Sequence, residues 1–279
     1  MRAIDFHVHL PTIEWLEGSL GPYLQTAENY FRRKVDIITV DELAAEYERL
    51  DLVGVLLAWD AETFTGRPPV ANHDVAAIED RFPGRFIGFA SVDPHKKSAA
   101  ADLETAISEL GMHGAKFHPS LQNFDPSDDR FFFLWEKCEE LAIPCIFHTG
   151  TSGIGAGAPG GQGIRIDLSR PILLDPVAAK FPNMKIVMAH FGWPWHIEAM
   201  AMALHKSNLY LDISGWAPRY IPTEVVREMK GRLAGRFLWG SDYPFISPSR
   251  CLEEIEQLEL GDAEAKILKE NARALVGLN

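Results

Sequence analysis

Ala3-Ile4-Asp5-Phe6-His7-Val8-His9 is the stretch on which the fold turns. Ala3–Val8 is a short, mostly apolar run of strand length, and its C-terminal end delivers two histidines. Separated by one residue on a strand, His7 and His9 project to the same side. Seven runs of the same kind follow: Leu52–Ala58, Arg85–Val92, Gly114–Phe117, Pro144–Phe147, Lys185–Ala189, Leu209–Ile213 and Phe237–Trp239. Most are continuous apolar runs rather than strict alternations, the pattern of strands buried on both faces of a parallel sheet. Helical periodicity fills the intervals: Glu42–Leu50 capped by Asp41, Ser98–Leu110 stopped by Gly111, Asp129–Leu141, Asp175–Phe181, Trp195–His205, Thr223–Lys230, Ser249–Leu258 and Asp262–Leu275. Eight strands alternating with helices predict an α/β fold, a (β/α)8 TIM barrel forming one domain over residues 1–279. The alternative, a doubly wound open sheet, would need fewer strands and a Gly-rich phosphate turn after the first, and neither is present. The longest irregular stretches, Leu10–Val40 and Gly150–Arg170, both follow strands, where barrel active-site loops lie.

Composition removes several classes of function. Lys plus Arg is 27 and Asp plus Glu is 39, a formal net charge of −12. No basic run exceeds Arg32-Arg33-Lys34, so nucleic acid is not an expected partner. Cys138, Cys145 and Cys251 form neither a disulfide framework nor a CxxC zinc pair. The N-terminal residues are too polar for a signal peptide, and no apolar stretch reaches the ~18–20 residues that span a bilayer. The expectation is a protein of a reducing cytoplasm without a membrane partner.

The chemistry of such a barrel sits at the C-terminal ends of its strands. There the sequence places His7 and His9, then Trp59-Asp60, Asp93-Pro94-His95, Lys116 and His118, His148, His190, Asp212 and Ser214, and finally Asp242. Two imidazoles on one side of the first strand can chelate a metal ion. A third His after the fifth strand, a fourth after the sixth and an Asp after the eighth converge on the same mouth. Nitrogen and carboxylate donors without thiolates suit Zn²⁺, Mn²⁺ or Fe²⁺.

These motifs resemble the amidohydrolase superfamily of metal-dependent barrels. Within it they are most similar to the branch of aminocarboxymuconate-semialdehyde decarboxylase, resorcylate-type decarboxylases and ring-cleavage lactonases. The resemblance rests on Asp5-Phe6-His7-Val8-His9, Gly114-Ala115-Lys116-Phe117-His118-Pro119, Phe147-His148-Thr149-Gly150, Ala189-His190-Phe191-Gly192 and Gly240-Ser241-Asp242-Tyr243-Pro244. It implies one divalent metal ion, zinc by expectation, held by His7, His9, His148 and Asp242. His190 would then be a catalytic base or orienting group, and Asp242 would also take part in proton transfer. In other branches a lysine at the position of Lys116 is carboxylated and bridges two metals. The KxHP form here implies a cationic lysine facing a substrate carboxylate.

The remaining candidates have plainer alternatives. His118 shares the inward parity of Lys116 and would line the pocket or bond a nearby loop. Asp5 has the parity of His7 and His9, and would support the ligands or sit in the barrel floor. Trp59 would be an aromatic wall or barrel packing. Arg165 and Arg170 would reach an anionic substrate or form surface salt bridges. The glycines of Gly150–Gly163 lack the GK[ST] ending of a phosphate loop and read as a mobile loop closing over the site. Related barrels are often dimers, and the aromatics Phe131 to Phe133 would serve an interface or the core. Together these features predict a metal-dependent enzyme for a small anionic organic acid. Hydrolysis of a lactone, ester, amide or β-keto ester is the first expectation, because the interval from Lys116 to His148 holds no carboxylate-reading arginine beyond Arg130. Decarboxylation of an aromatic or muconate-type acid is the alternative, and a non-catalytic metal-binding barrel is the remote one.

Overall fold

The computed structural model describes residues 1–278. Eight strands run β1 (Ala3–Val8), β2 (Leu52–Leu57), β3 (Phe86–Ala90), β4 (Gly114–Phe117), β5 (Pro144–His148), β6 (Lys185–Ala189), β7 (Leu209–Asp212) and β8 (Phe237–Leu238). Each pairs in parallel with the next, in sequence order. The amide of Phe6 donates to the Trp239 carbonyl (3.0 Å), and Asp242 and His9 extend the seam through His7 and Tyr243 (3.0 and 2.8 Å). These bonds bring β1 beside the segment after β8 and close the (β/α)8 barrel.

Nearly every strand residue is buried, as the continuous apolar runs require. Ile4, Phe6, Val55, Phe89, Ile146, Val187 and Leu238 form one apolar cluster. The C-terminal helix Asn271–Val276 adds Ala272 and Leu275 to it. The larger cluster lies between strands and surrounding helices and includes Trp135, Phe117 and Phe147, whose rings meet at about 5 Å between centroids.

The β1 alternation is broken. Its pairing with β2 shifts register between Asp5 and Val8, the extra residue of a bulge. Phe6 therefore packs on Phe89 at 5.5 Å between centroids, while His7 still joins the pocket. Asp5 does not share that direction. Its carboxylate accepts from Tyr47 Oη (2.8 Å) on helix Val40–Arg49 and from the Ser241 amide and hydroxyl (2.7 and 2.5 Å). Burial outweighs these bonds and pushes its pKa up to about 6. Asp5 thus ties β1 to a surrounding helix and to the loop after β8.

Two helices of eight residues or more were not apparent from sequence: Leu24–Phe31 within the first long loop and Asn72–Arg81 between β2 and β3. The helix expected from Asp41 starts two residues earlier. Thr39 is its cap, with its hydroxyl accepting from the Glu42 amide (3.2 Å) and Glu42 returning a bond to the Thr39 amide (2.8 Å). Asp129–Leu141 begins as a 3-10 turn, with Phe131 buried and Phe133 exposed. Among the described residues no helix is long and apolar enough to cross a membrane.

Candidate active site

The strand ends meet in one pocket. His7, His9, Lys116, His118, His148, His190 and Asp242 form its polar lining. His7 Nε2 and His9 Nε2 each lie 3.6 Å from Asp242 Oδ1. These three side chains form a buried group with ligand atoms close enough to share one ion. His148 Nε2 and His9 Nδ1 are buried without a hydrogen-bond partner, and a buried imidazole nitrogen left unpaired needs an explanation. His148 lines the same pocket but does not belong to that three-residue group.

The protonation states fit. Burial, and then the neighbouring Lys116 charge, lowers the pKa of His7 to about 4. Burial also holds His9, His118 and His148 well below the ordinary imidazole value. Neutral imidazoles are the form that binds metal. Asp212 fixes which His7 nitrogen faces the pocket. His7 Nδ1 donates to Asp212 Oδ2 at 3.0 Å, which leaves Nε2 turned to Asp242. Asp212 also accepts from the His190 amide (3.0 Å), the Ser214 amide (2.9 Å) and the Ser214 hydroxyl. Burial would raise its pKa, but His7 and these donors hold it well below the usual carboxylate range.

His7, His190 and Asp212 also lie close enough to resemble a second ion site. Their facing atoms are already spent: His190 Nδ1 donates to the Ser214 carbonyl at 2.9 Å, and His7 Nδ1 is committed to Asp212. This group is a hydrogen-bonded support. Partners of this kind orient metal-binding imidazoles, and losing one costs about 10–100-fold in metal affinity or activity. Asp212→Asn is accordingly expected to weaken metal binding by about 10–100-fold, read by titrating the apo-protein. Wild-type affinity would remove Asp212 from this role.

Lys116 is 2% exposed, and no other lysine or arginine among the described residues is buried. Its Nζ stands 3.0 Å from His7 Nε2, and no carboxylate lies within ion-pair reach among the described residues. Burial lowers its pKa to about 8. His118 stacks face to face on His148 at 3.8 Å, and its Nδ1 accepts from the Leu121 amide (3.3 Å), so it serves both the pocket and a loop. Both His190 (φ 59°) and Asp242 (φ 64°) occupy the left-handed region. Such backbone strain concentrates at functional sites.

The walls are aromatic. Trp59 meets His9 edge-on at 5.4 Å, and Trp15 stacks on the same imidazole at 4.7 Å with planes 7° apart. Phe31, Trp216 and Phe245 complete the enclosure. Trp15 and Phe31 come from Leu10–Val40, where no periodicity singled them out. Trp15 lies in a π-helical turn, Glu14–Leu20, two of whose carbonyls Arg67 binds: Nε meets the Gly18 oxygen at 2.6 Å and an η-nitrogen meets the Glu17 oxygen.

Gly150–Arg170 contributes Thr151 to Ile154 and clasps the first loop. The Gly155 amide donates to Thr26 Oγ1 (2.9 Å), and that hydroxyl donates to the Tyr23 carbonyl (2.7 Å). Gly153 packs so closely that a Cβ there would come 2.9 Å from the Phe31 ring. Arg165 and Arg170, by contrast, are not brought to the pocket. Arg165 binds Asp167 at 2.5 Å and Arg170 binds Glu198 at 2.9 Å, all on the outer surface, where nearby carboxylates satisfy them.

Residues 4–278 match the protein family described as Amidohydrolase. Decarboxylase orsB of Emericella nidulans is 29% identical over 230 residues, covering 67% of this chain and 66% of that protein. The 2-amino-3-carboxymuconate-6-semialdehyde decarboxylase of Dictyostelium discoideum is 23% identical over 242 residues, covering 75% of this chain and 66% of that protein. Both matches thus span just under two thirds of the relative. A dihydroxybenzoic acid decarboxylase from Polaromonas, solved with bound manganese and the inhibitor 2-nitroresorcinol, superposes with a TM-score of 0.72 at 20% identity, covering 99% of this chain and 97% of that one.

Proposed function

The chain belongs to the amidohydrolase family, and from that premise we propose that it is a metal-dependent decarboxylase of a small aromatic or unsaturated carboxylic acid. The expectation of hydrolysis gives way because the curated relatives are decarboxylases by name. The structural observation that carries the substrate class is Lys116, a buried lysine lining an aromatic-walled pocket, with no carboxylate in ion-pair contact and the charges of Asp212 and Asp242 nearby. A buried cation is stabilised by opposite charge, and a substrate carboxylate would add to what Asp212 and Asp242 supply. The aromatic walls accept a flat ring or conjugated chain.

His7, His9, His148 and Asp242 would hold one divalent ion, zinc or manganese. When bound, it supplies Lewis acidity toward the oxygens of the substrate. The rest falls to side chains. Lys116 anchors the anion and the aromatic walls exclude water. Loss of carbon dioxide leaves the electron pair of the broken C–C bond on the ring carbon, which takes up one proton. His190 delivers it: with Nδ1 fixed on the Ser214 carbonyl, Nε2 is the nitrogen free to exchange a proton. Solvent reprotonates His190 after the product leaves, and Asp242, in the same pocket, stays a carboxylate that would hold the ion.

The test is turnover of carboxylated aromatic and muconate-type acids in D₂O. Carbon dioxide release and one deuterium at the vacated carbon are expected. Activity should disappear on chelation and return with Zn²⁺ or Mn²⁺ at about one ion per chain. Cleavage of lactones or β-keto esters without carbon dioxide release would restore the hydrolytic reading. Full turnover in metal-free protein would refute the metal role, and two ions per chain would make Lys116 a bridging ligand.

A further inference from the structure

A second groove adjoins the pocket. Tyr30, Phe31, Gly215, Trp216 and Phe245 line both and form their common border. The groove gathers Arg32, Arg33, Arg219 and Arg250, and no Asp or Glu lines it. In a chain of net charge −12 this is a local inversion of sign.

The four arginines are not equally free. Arg250 binds Glu254 Oε1 at 2.7 Å and Arg219 Nε lies 3.8 Å from the same oxygen, so one carboxylate is shared by two guanidinium groups. Neither Arg32 nor Arg33 pairs with a carboxylate among the described residues, whereas the adjacent Lys34 binds Glu28 at 2.6 Å. Arg32 ends helix Leu24–Phe31 in a left-handed conformation (φ 52°), which turns the chain at the groove immediately after Phe31.

We propose that this groove is the route by which an anionic substrate enters, with Arg32 and Arg33 as the capturing charges. The proposal rests on the reading that the substrate is an organic acid. An acidic surface repels such a molecule, and a cationic channel reverses this along one path. Clefts of one sign raise association rates by about 10- to 1000-fold, and salt suppresses the effect. The Debye length of about 8 Å at physiological ionic strength confines it to the groove and its approaches. The arginines act on arrival, so kcat should not depend on them.

The test uses 4-nitrobenzoate, an unreactive aromatic acid that quenches tryptophan emission, followed by stopped flow. Its association rate with wild-type protein is expected to fall with added salt. In the double variant Arg32→Gln/Arg33→Gln the rate at low salt is expected to drop about tenfold and lose most of that dependence. Uncharged 4-nitrobenzamide should associate equally with both proteins. With a turned-over acid, kcat/KM should fall in step while kcat is kept. An unchanged association rate, or a loss shared by the benzamide, overturns the proposal. So does absence of 4-nitrobenzoate binding, or a variant that changes the mass of the protein in solution while keeping kcat/KM, which would mark an interface between copies. If the nitrobenzoate dependence holds and no acid is decarboxylated, the entry route stands and the reaction assignment falls.

Discussion

Gly215→Ala is expected to lower turnover by about 100-fold or more while leaving the barrel assembled. A Cβ at this position would lie 2.7 Å from His190 Nδ1 and 3.2 Å from Asp242 Oδ2. Both are atoms of the site, and neither is the flexible end of a long side chain. Displacements of about 1 Å near reacting groups cost on the order of 10²-fold in rate. The backbone adds to the effect, because φ is +72° at Gly215 and a left-handed alanine costs about 1–2 kcal/mol. Gly235→Ala is the control, since a Cβ there meets nothing within 4 Å. Steady-state kinetics and a thermal melt on both variants separate lost geometry from lost fold. Wild-type kcat in Gly215→Ala would mean that His190 and Asp242 need not hold their present positions.

His190→Asn is expected to retain bound metal and lose about 10²- to 10⁴-fold in kcat, the usual contribution of a positioned acid or base. Asparagine can keep the bond to the Ser214 carbonyl, and the backbone amide of residue 190 still reaches Asp212. The support under His7 therefore survives while the exchangeable proton is removed. Metal content per chain and kcat, measured on the same preparation, decide the matter. A variant that loses metal would make His190 a ligand, and one that keeps full kcat would move the proton source to Asp242 or Lys116.

The parts of the molecule legible in sequence are those where burial writes the pattern. Ala3–Val8, Gly114–Phe117 and Lys185–Ala189 stand where their apolar runs placed them, as does helix Thr223–Lys230. Helix Asn72–Arg81 was invisible for a physical reason: it buries only Val75 and Ala76, and Ala71 before it offers no side-chain cap. Helix Leu24–Phe31 follows a Gly-Pro turn inside a long connection and buries only Ala27 and Glu28. The histidines and Asp242 could be found because barrel topology sends every strand end to one mouth. Asp5 could not be placed, because strict alternation assigns it to the side of His7 and the register shift intervenes. Asp212 was visible as a strand-end residue, but its hold on His7 required coordinates. Arg165 and Arg170 were drawn away by Asp167 and Glu198, the first only two residues distant and the second on another helix.

The clasp between Thr26 and Gly155, with Gly153 seated against Phe31, bears on how this chain can be recombined with its relatives. Thr26 and Phe31 lie before β2, and Gly153 and Gly155 lie after β5. A chimera with its crossover anywhere between β2 and β5 inherits the two halves from different parents. The incoming glycine stretch must then find a hydroxyl and a ring in a segment shaped for another partner. The two loops are therefore one heritable unit split by more than a hundred residues of scaffold, and substrate range would pass intact only to offspring that receive both.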